Sequence, residues 1–269
     1  MGILNVTPDS FWDGGKYATP ERALARARAI EDEGADILDV GAESTRPGSR
    51  PISAAEESER LLPVLEKIIP ALSIPVCVDT TKAVIAAAAL RLGARMINDT
   101  SALGDPRMAG VIAGAKASAI LMHRRGLPRT MQEDPVYVHC VEEIARYLQR
   151  RAQRGIDAGI ARNHILVDPG IGFGKKLEHN VNILQAIKSF RGLGFPVVLG
   201  ISRKSFLGSL LGEIPTDQRL AASLAAAVFA FSQGANILRV HDVRETAHAR
   251  KVLEALLPLK FNDSPTLSC

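Results

Sequence analysis

Six residues whose side chains can do chemistry follow short apolar runs along the chain. They are Asp79, Asn98, Asp168, Lys204, Arg239 and His241. The first three are hydrogen-bond acceptors or amides, and a flat heterocycle with several N–H groups would satisfy such carboxylates if they were buried. The last three are basic and suit a phosphate or pyrophosphate. The sequence therefore predicts a site that holds an N–H-rich ring next to an anionic group.

Two longer polar segments follow the first two apolar runs. Residues 7–15 read TPDSFWDGG and residues 43–48 read ESTRPG. Loops of this composition are typical of lids over an active site, and Arg46 offers a planar fork for an anion. Asn5 ends the first run and is an oxygen ligand suited to Mg²⁺ that accompanies a pyrophosphate.

Each of these residues also has a purely structural interpretation. Asp79 and Asp168 could be the N-caps of the helices that follow them. Lys204 could form a solvated pair with its neighbour Arg203, and a lone His241 could cap or fill. Only the convergence of all of them on one rim favours the functional interpretation, and that convergence depends on the fold.

Eight short apolar runs alternate with helical patterns. The predicted strands are Gly2–Val6, Asp36–Val40, Pro75–Asp79, Met96–Asn98, Ala119–Met122, Ile165–Asp168, Pro196–Gly200 and Asn236–Val240. The predicted helices are Pro20–Glu33, Ala54–Ile69, Lys82–Leu92, Pro106–Ala113, Val136–Ala158, Val181–Phe190, Asp217–Gln233 and Val243–Leu257. The strands are continuous rather than alternating in hydrophobicity, which indicates parallel strands that are buried on both faces.

Eight strand–helix units in 269 residues predict a single (β/α)8 TIM barrel, with a doubly wound sheet as the alternative. Glycine followed by alanine recurs where a helix gives way to a strand, at Gly34, Gly93 and Gly234, and predicts a left-handed helix end at each. We expect the barrel to occupy residues 1–258 and residues 259–269 to form a flexible tail. Because barrel enzymes carry catalytic groups at the carboxyl ends of their strands, the six residues should share one mouth.

The composition limits the classes of protein that fit. Hydrophobic residues make up 46% and charged residues 23%, and the net charge of +4 is too small to indicate a nucleic-acid partner. Arg146, Arg150 and Arg154 have helical spacing and predict a solvated helix face. Three cysteines without metal-ligand spacing and the lack of a long apolar run predict a cytoplasmic protein without a membrane partner.

Seven segments in order resemble the dihydropteroate synthase family, from residue 2 to about residue 250. They read MGILNVTPDSF.DGG, D.GAESTRPG, VDTTK, INDTSAL, VDPGIGFGK, GISRKSFLG and RVHDV.ET. The resemblance implies a transferase of folate biosynthesis. It would condense 6-hydroxymethyl-7,8-dihydropterin pyrophosphate with 4-aminobenzoate to give 7,8-dihydropteroate and pyrophosphate, with Mg²⁺ as cofactor. A homodimer and inhibition by sulfonamides are also implied.

The same resemblance implies a role for each site residue. The pterin would be bound by Asp79, Asn98, Met122, Asp168, Gly200 and Lys204. The aminobenzoate pocket would be formed by Phe11, Thr45, Arg46, Pro47, Phe173, Lys204 and Ser205. Pyrophosphate would be held by Asn5, Arg239 and His241, with Asn5 also a ligand of Mg²⁺. Catalysis would depend on Asn5, Lys204, Arg239 and His241.

Two departures from the family and three alternatives remain open. The family usually has more chain before the first strand, and Trp12 stands where it usually has a small residue, either altering inhibitor binding or simply facing solvent. A corrinoid-type methyltransferase shares the barrel and the pterin acceptors but does not need the Arg46 loop. A Schiff-base aldolase would use Lys204, which would need a lowered pKa. A non-catalytic pterin-binding remnant is the third alternative.

Overall fold

The computed structural model describes residues 1–6, 19–44, 49–126 and 129–256. It contains eight parallel strands, which are β1 (Gly2–Asn5), β2 (Leu38–Gly41), β3 (Val76–Asp79), β4 (Met96–Asp99), β5 (Ser118–Met122), β6 (Ile165–Asp168), β7 (Val198–Gly200) and β8 (Ile237–Arg239). Each predicted strand is present, with its bounds shifted by two residues or fewer. The predictions succeed because strands buried on both faces leave uninterrupted apolar runs in the sequence.

The strands close into a barrel. Strands β1 to β6 pair in sequence order and β7 pairs with β8. The remaining two seams are narrow: Val167 pairs with Val197, and Gly2 pairs with Val240. At the second seam the N–H of Ile3 donates to the carbonyl of Val240 at 3.0 Å. This circular order confirms the predicted (β/α)8 barrel over the doubly wound alternative.

Ten α-helices lie among the described residues. They are α1 (Pro20–Asp32), α2 (Ala54–Ile68), α3 (Ala83–Leu92), α4 (Met108–Gly114), α5 (Cys140–Asp157), α6 (Leu177–Gln185), α7 (Ile187–Arg191), α8 (Ser205–Leu210), α9 (Leu220–Ser232) and α10 (Val243–Leu256). Helices α1 and α2 begin after Thr19 and Ser53, whose side chains accept from the backbone N–H three residues on. Arg146, Arg150 and Arg154 lie on the exposed face of α5, as predicted.

Three helix predictions were wrong in detail. Helix α5 begins at Cys140 rather than Val136, because the Glu143 carboxylate accepts from the backbone N–H groups of Val138 and His139 at 2.8 and 3.0 Å and holds them in a turn. The helix predicted over 181–190 begins earlier, at Leu177, and is divided at Ala186 into α6 and α7. The helix predicted over 217–233 begins only at Leu220, after a 3-10 helix over Thr216–Gln218. The short helix α8 was not predicted.

The predicted glycine joints are confirmed. Gly34, Gly93 and Gly234 have φ values of 95°, 110° and 99°, in the left-handed region that favours glycine. Each ends a helix and turns the chain into the next strand. Within the described part of the chain, no helix is both long and apolar enough to cross a bilayer.

Candidate active site

One ring of side chains inside the barrel positions the site. A cluster of buried apolar residues fills the barrel interior, and it includes Cys77, Met96, Ile120, Leu166, Val198 and Ile237. Side chains two residues apart on a strand point to the same face. The next inward position on each of these strands, one step nearer the mouth, is therefore Asp79, Asn98, Met122, Asp168, Gly200 and Arg239. These are six of the residues predicted to bind substrate.

Arg239 lies between two carboxylates on one side of this ring. Its Nε donates to Oδ2 of Asp39 at 2.5 Å and its Nη2 donates to Oδ2 of Asp79 at 3.1 Å. The Nδ2 of Asn98 donates to the same Asp39 oxygen at 3.3 Å. Burial disfavours the charged guanidinium, but the two carboxylates hold the pKa of Arg239 above its usual value.

Asp79 is a buried carboxyl group beside both signs of charge. Burial raises the pKa of Asp79 to about 7, Arg239 opposes that rise, and the charge of Asp39 adds to it. A carboxyl group in this state can accept hydrogen bonds from a ring N–H or donate one to a ring nitrogen. Asp79 is therefore suited to recognising the edge of a heterocycle.

Asp168 and Lys204 lie on the other side of the ring. Oδ1 of Asp168 accepts from the N–H of Gly170 at 2.7 Å, and burial raises the pKa of Asp168 although Lys204 opposes it. The Nζ of Lys204 donates to the carbonyl of Ile171 and lies 4.6 Å from the centre of the Phe173 ring. Burial lowers the pKa of Lys204 to about 8. Lys204 thus touches the loop that carries Phe173 as well as facing Asp168.

A second buried lysine braces that loop. The Nζ of Lys175 lies 3.1 Å from Nδ1 of His123 and 2.9 Å from the carbonyl oxygen of Phe173. Burial lowers the pKa of Lys175 to about 7 and that of His123 to about 2, so the imidazole is neutral and can accept. Gly170 lets the loops after β5 and β6 approach, since a Cβ there would stand 1.9 Å from the carbonyl oxygen of His123.

The rim beyond β7 and β8 carries the predicted anion-binding residues. Nδ1 of His241 lies 3.2 Å from Oγ of Ser202, and Arg203 forms an ion pair with Asp242 at 2.7 Å. Arg203 is buried, so the alternative of a solvated pair with Lys204 is wrong. The N-cap alternative for Asp79 and Asp168 is also wrong, because the helices after them begin only at Ala83 and Leu177.

The remaining predicted residues divide into two groups. Asn5 ends β1 with a half-buried side chain, Phe173 is half-buried, and Ser205 is exposed as the first residue of α8. Phe11, Thr45, Arg46 and Pro47 lie outside the described residues, as does Trp12. The structure thus brings the pterin-directed and anion-directed residues to one mouth.

Two residues of this site were missed by the sequence reasoning. Asp39 lies within β2, one inward position deeper than the carboxyl ends of the strands, where the sequence predicts the site. The signal for it is an aspartate inside the apolar run Ile37-Leu38-Asp39-Val40. Lys175 follows a glycine-rich loop, and nothing local in the sequence marks it as buried. Across the described part of the chain, no group of three or more His, Cys, Asp or Glu side chains is arranged to hold a metal ion.

Comparison with known proteins agrees with this geometry. Residues 1–241 match a family model described as "Pterin binding enzyme". The dihydropteroate synthase of Escherichia coli (strain K12) is 44% identical over 262 residues, covering 97% of this chain and 93% of its own. That of Neisseria meningitidis serogroup B (strain ATCC BAA-335 / MC58) is 46% identical over 262 residues, covering 95% and 92%. This chain belongs to the dihydropteroate synthase family.

Solved structures of the dihydropteroate synthase family share the barrel. The Yersinia pestis enzyme, in a sulfonamide drug complex, matches with a TM-score of 0.92 at 42% identity and covers 95% of this chain and 93% of its own. The Xanthomonas albilineans enzyme in complex with 7,8-dihydropteroate matches with a TM-score of 0.86 at 40% identity, covering 95% and 92%. The predicted family and the predicted transferase class are confirmed.

Proposed function

We propose that this protein synthesises 7,8-dihydropteroate from 6-hydroxymethyl-7,8-dihydropterin pyrophosphate and 4-aminobenzoate, releasing pyrophosphate. The observation that carries the proposal is the single ring in which Asp79, Asn98 and Asp168 stand beside Lys204 and Arg239. Family membership supports it, as do related enzymes whose structures hold 4-aminobenzoate and 7,8-dihydropteroate.

The acceptors of the ring suit the pterin. Asp168 is buried and, besides the N–H of Gly170, has acceptor capacity left for ring N–H groups. Asn98 lies at the same depth. Its Nδ2 donates to Asp39, so its amide oxygen is the group that can face the ligand. Lys204 would donate to a ring carbonyl or nitrogen, and Met122 and Gly200 would line the slot. A bicyclic ring with several N–H groups satisfies this set better than an apolar ligand does.

The basic groups at the rim suit the pyrophosphate. Arg239 uses two of its five N–H groups on Asp39 and Asp79, which leaves donors for an oxyanion. His241, two residues after β8, and Asn5, at the end of neighbouring β1, would complete the anion site. A pyrophosphate-bound Mg²⁺ needs only one or two protein oxygens, so Asn5 alone fits as its ligand. Bound there, Mg²⁺ would neutralise charge on the leaving pyrophosphate.

The aminobenzoate would lie on the Phe173 and Ser205 side of Lys204. The 4.6 Å contact between Nζ of Lys204 and the Phe173 ring joins the two proposed subsites. We infer that Phe11, Thr45, Arg46 and Pro47 complete this pocket.

The reaction needs little proton chemistry from the protein. The methylene C–O bond breaks and pyrophosphate departs with the electron pair, while the pterin ring spreads the positive charge left on carbon. The amine nitrogen then forms the C–N bond and loses a proton to solvent or pyrophosphate. Because an aniline is neutral near pH 7, no strong general base is required, and the main contribution of Arg239 and His241 is to stabilise the departing charge.

Three further inferences, on the domain, the cellular location and the oligomeric state, accompany this proposal. We infer one barrel domain over residues 1–258, a cytoplasmic location, and a homodimer packed through the late helices. The exposed apolar side chains of Phe229 on α9 and Val252 on α10 support the dimer.

Pyrophosphate release tests the proposed function. Purified protein should release pyrophosphate and form 7,8-dihydropteroate, detected by mass spectrometry, only when the pterin pyrophosphate, 4-aminobenzoate and Mg²⁺ are all present. Omitting each in turn, or adding EDTA, should abolish product. Binding of the pterin without turnover would indicate the non-catalytic remnant, and Schiff-base trapping of Lys204 by borohydride would indicate the aldolase.

A further inference from the structure

The register of β7 and β8 continues past the end of their backbone pairing. Within the strands, Val198 pairs with Ile237 and Gly200 with Arg239, an offset of 39 residues. Side chains continue the same offset of 39 beyond the strands. The N–H of His241 donates to Oγ of Ser202 at 3.3 Å. The next rung is the ion pair of Arg203 with Asp242.

The contact between Arg203 and Asp242 is a largely buried ion pair. Nε and Nη2 of Arg203 donate to the two oxygens of Asp242 at 2.8 and 2.7 Å, the bidentate geometry of a strong charge-assisted pair. Nη1 donates to the carbonyls of Thr216 and Asp217 at 3.0 and 3.1 Å. The exposed fractions of the two paired side chains are only 8% and 12%, so solvent screens them weakly.

Arg203 is also held in an uncommon backbone conformation. Its φ is +56°, in the left-handed region that residues other than glycine rarely adopt. Its N–H donates to Oγ of Ser223 at 2.9 Å, and Arg219 donates to its carbonyl at 3.2 Å. This turn sends the next residue, Lys204, back towards Asp168 and Ile171. The surrounding contacts therefore determine where Lys204 points.

We propose that Arg203 and Asp242 are positioning residues of this reaction, which lock the ends of β7 and β8 together so that Lys204 and His241 face one substrate, Lys204 its pterin ring and His241 its pyrophosphate. Neither residue touches the substrate in this arrangement. Arg203 immediately precedes Lys204, and Asp242 immediately follows His241, so an error of one rung would separate both functional groups. The inference rests on the proposed function, because it assigns Lys204 and His241 to the pterin pyrophosphate.

The test compares Asp242→Asn with a matched break elsewhere. Arg26 and Glu33 at the end of α1 form a second bidentate pair, at 2.6 and 3.3 Å, remote from the mouth. Asp242→Asn should lower kcat/KM and weaken binding of inorganic pyrophosphate at least tenfold, whereas Glu33→Gln should change each by less than twofold. Equal retention of activity and pyrophosphate affinity by both variants would overturn the proposal.

A double-mutant cycle separates positioning from general destabilisation. If Asp242 acts through His241, adding Asp242→Asn to His241→Ala should change kcat/KM by less than threefold, since the group to be positioned is already gone. If the double variant instead loses the product of the two single losses in kcat/KM, Asp242 does not act through His241. Arg203→Gly, which tolerates the left-handed φ, should lose as much as Asp242→Asn; full activity would show that the turn alone suffices.

These readouts distinguish the two ideas. If wild-type protein releases no pyrophosphate from the two substrates, the proposed function fails, and the pyrophosphate titration, which needs no reaction, still decides whether the pair orders the anion site. If wild type turns over normally and Asp242→Asn does too, only the positioning role fails.

Discussion

The two halves of the barrel mouth differ in whether their buried charged groups form ion pairs. The paired half consists of Asp39, Asp79, Asn98 and Arg239, where a guanidinium bridges two carboxylates. The unpaired half consists of Asp168, Lys175 and Lys204. Among the described residues neither lysine is within 4 Å of a carboxylate oxygen, and both donate to backbone carbonyls instead.

This difference indicates which half is complete without substrate. In the paired half, Arg239 contacts both carboxylates and offsets part of the cost of burying them, so the geometry of this half should be the same with and without a ligand. In the unpaired half burial works against the charged forms, raising the pKa of Asp168 and lowering those of both lysines. A ligand that brings N–H groups and negative charge supplies the missing partners. Substrate affinity should therefore depend more on the unpaired half.

The largest expected effect is on pterin affinity when Asp168 is changed. Asp168→Asn replaces a carboxylate acceptor with an amide that presents N–H groups to the N–H groups of the pterin ring. The loss of two hydrogen bonds to a charged group costs about 3–5 kcal/mol of binding free energy, which raises Kd by about 10²–10⁴-fold. Isothermal titration with the pterin substrate or with 7,8-dihydropteroate measures it.

The matched control is Asp99→Asn at the end of β4, two strands away from β6 in the barrel. Asp99 is equally buried, but its oxygens accept from Ser101 and Leu103 of its own chain at 2.6–2.8 Å. Its substitution should change pterin affinity by less than about threefold, since no ligand contact is lost. Equal losses from both variants would remove the distinction between ligand-directed and internal carboxylates.

The next effect contrasts the stability of the two halves. Arg239→Met leaves two buried carboxylates without a cation and should lower the free energy of unfolding by about 3–5 kcal/mol. For a chain of this size that corresponds to a fall in Tm on the order of 10 °C. Thermal melts of the two single variants Arg239→Met and Lys175→Met measure the contrast.

Lys175→Met should have a smaller effect of about 1–2 kcal/mol. The change strands three acceptors, Nδ1 of His123 and the carbonyls of His123 and Phe173, but it also removes a cation whose burial is unfavourable. A fall in Tm as large as that of Arg239→Met would show that charged groups stabilise the unpaired half as much as the paired half.

The sequence predicted which residues lie at the mouth but not which of them form ion pairs. Asp79, Asn98, Asp168 and Arg239 could be predicted because a barrel brings strand ends together whatever the side chains are. Their partners could not. Whether Arg239 would bridge two carboxylates, and not contact Asp79 alone, depended on Asp39, which is 200 positions away in sequence and one inward position deeper.

Lys175 shows the limit more clearly. Its burial depends on the close approach of the β5 and β6 loops, which Gly170 and Gly174 permit by having no Cβ against the carbonyls of His123 and Arg125. The sequence shows the two glycines, but it does not show that they pack against the loop after β5. The predicted start of α5 was wrong for a local reason: the Glu143 carboxylate accepts from the N–H groups of Val138 and His139, and these bonds replace the helical hydrogen bonds that periodicity predicted.

The last contrast between the two halves is in the pH dependence of the free energy of unfolding. The folded pKa of Lys175, about 7, lies below its unfolded value of about 10.5. Between these values the unfolded chain binds one more proton, so the free energy of unfolding must rise with pH in that window. The difference between wild type and Lys175→Met should therefore grow in favour of wild type by about 2 kcal/mol from pH 7 to pH 9.

Asp79 should give the opposite sign in an acidic window. Its folded pKa of about 7 is above the unfolded 3.8, so the folded chain binds more protons between them, and wild type should lose stability relative to Asp79→Asn as pH rises from 4 to 7. Urea unfolding at several pH values gives both curves. Lys176→Met is the control: this exposed neighbour is paired with Asp134 at 2.6 Å and should give a flat difference from pH 7 to 9. A flat curve for Lys175→Met as well would mean that Lys175 keeps an ordinary pKa, and the contrast between the two halves would then rest on geometry alone.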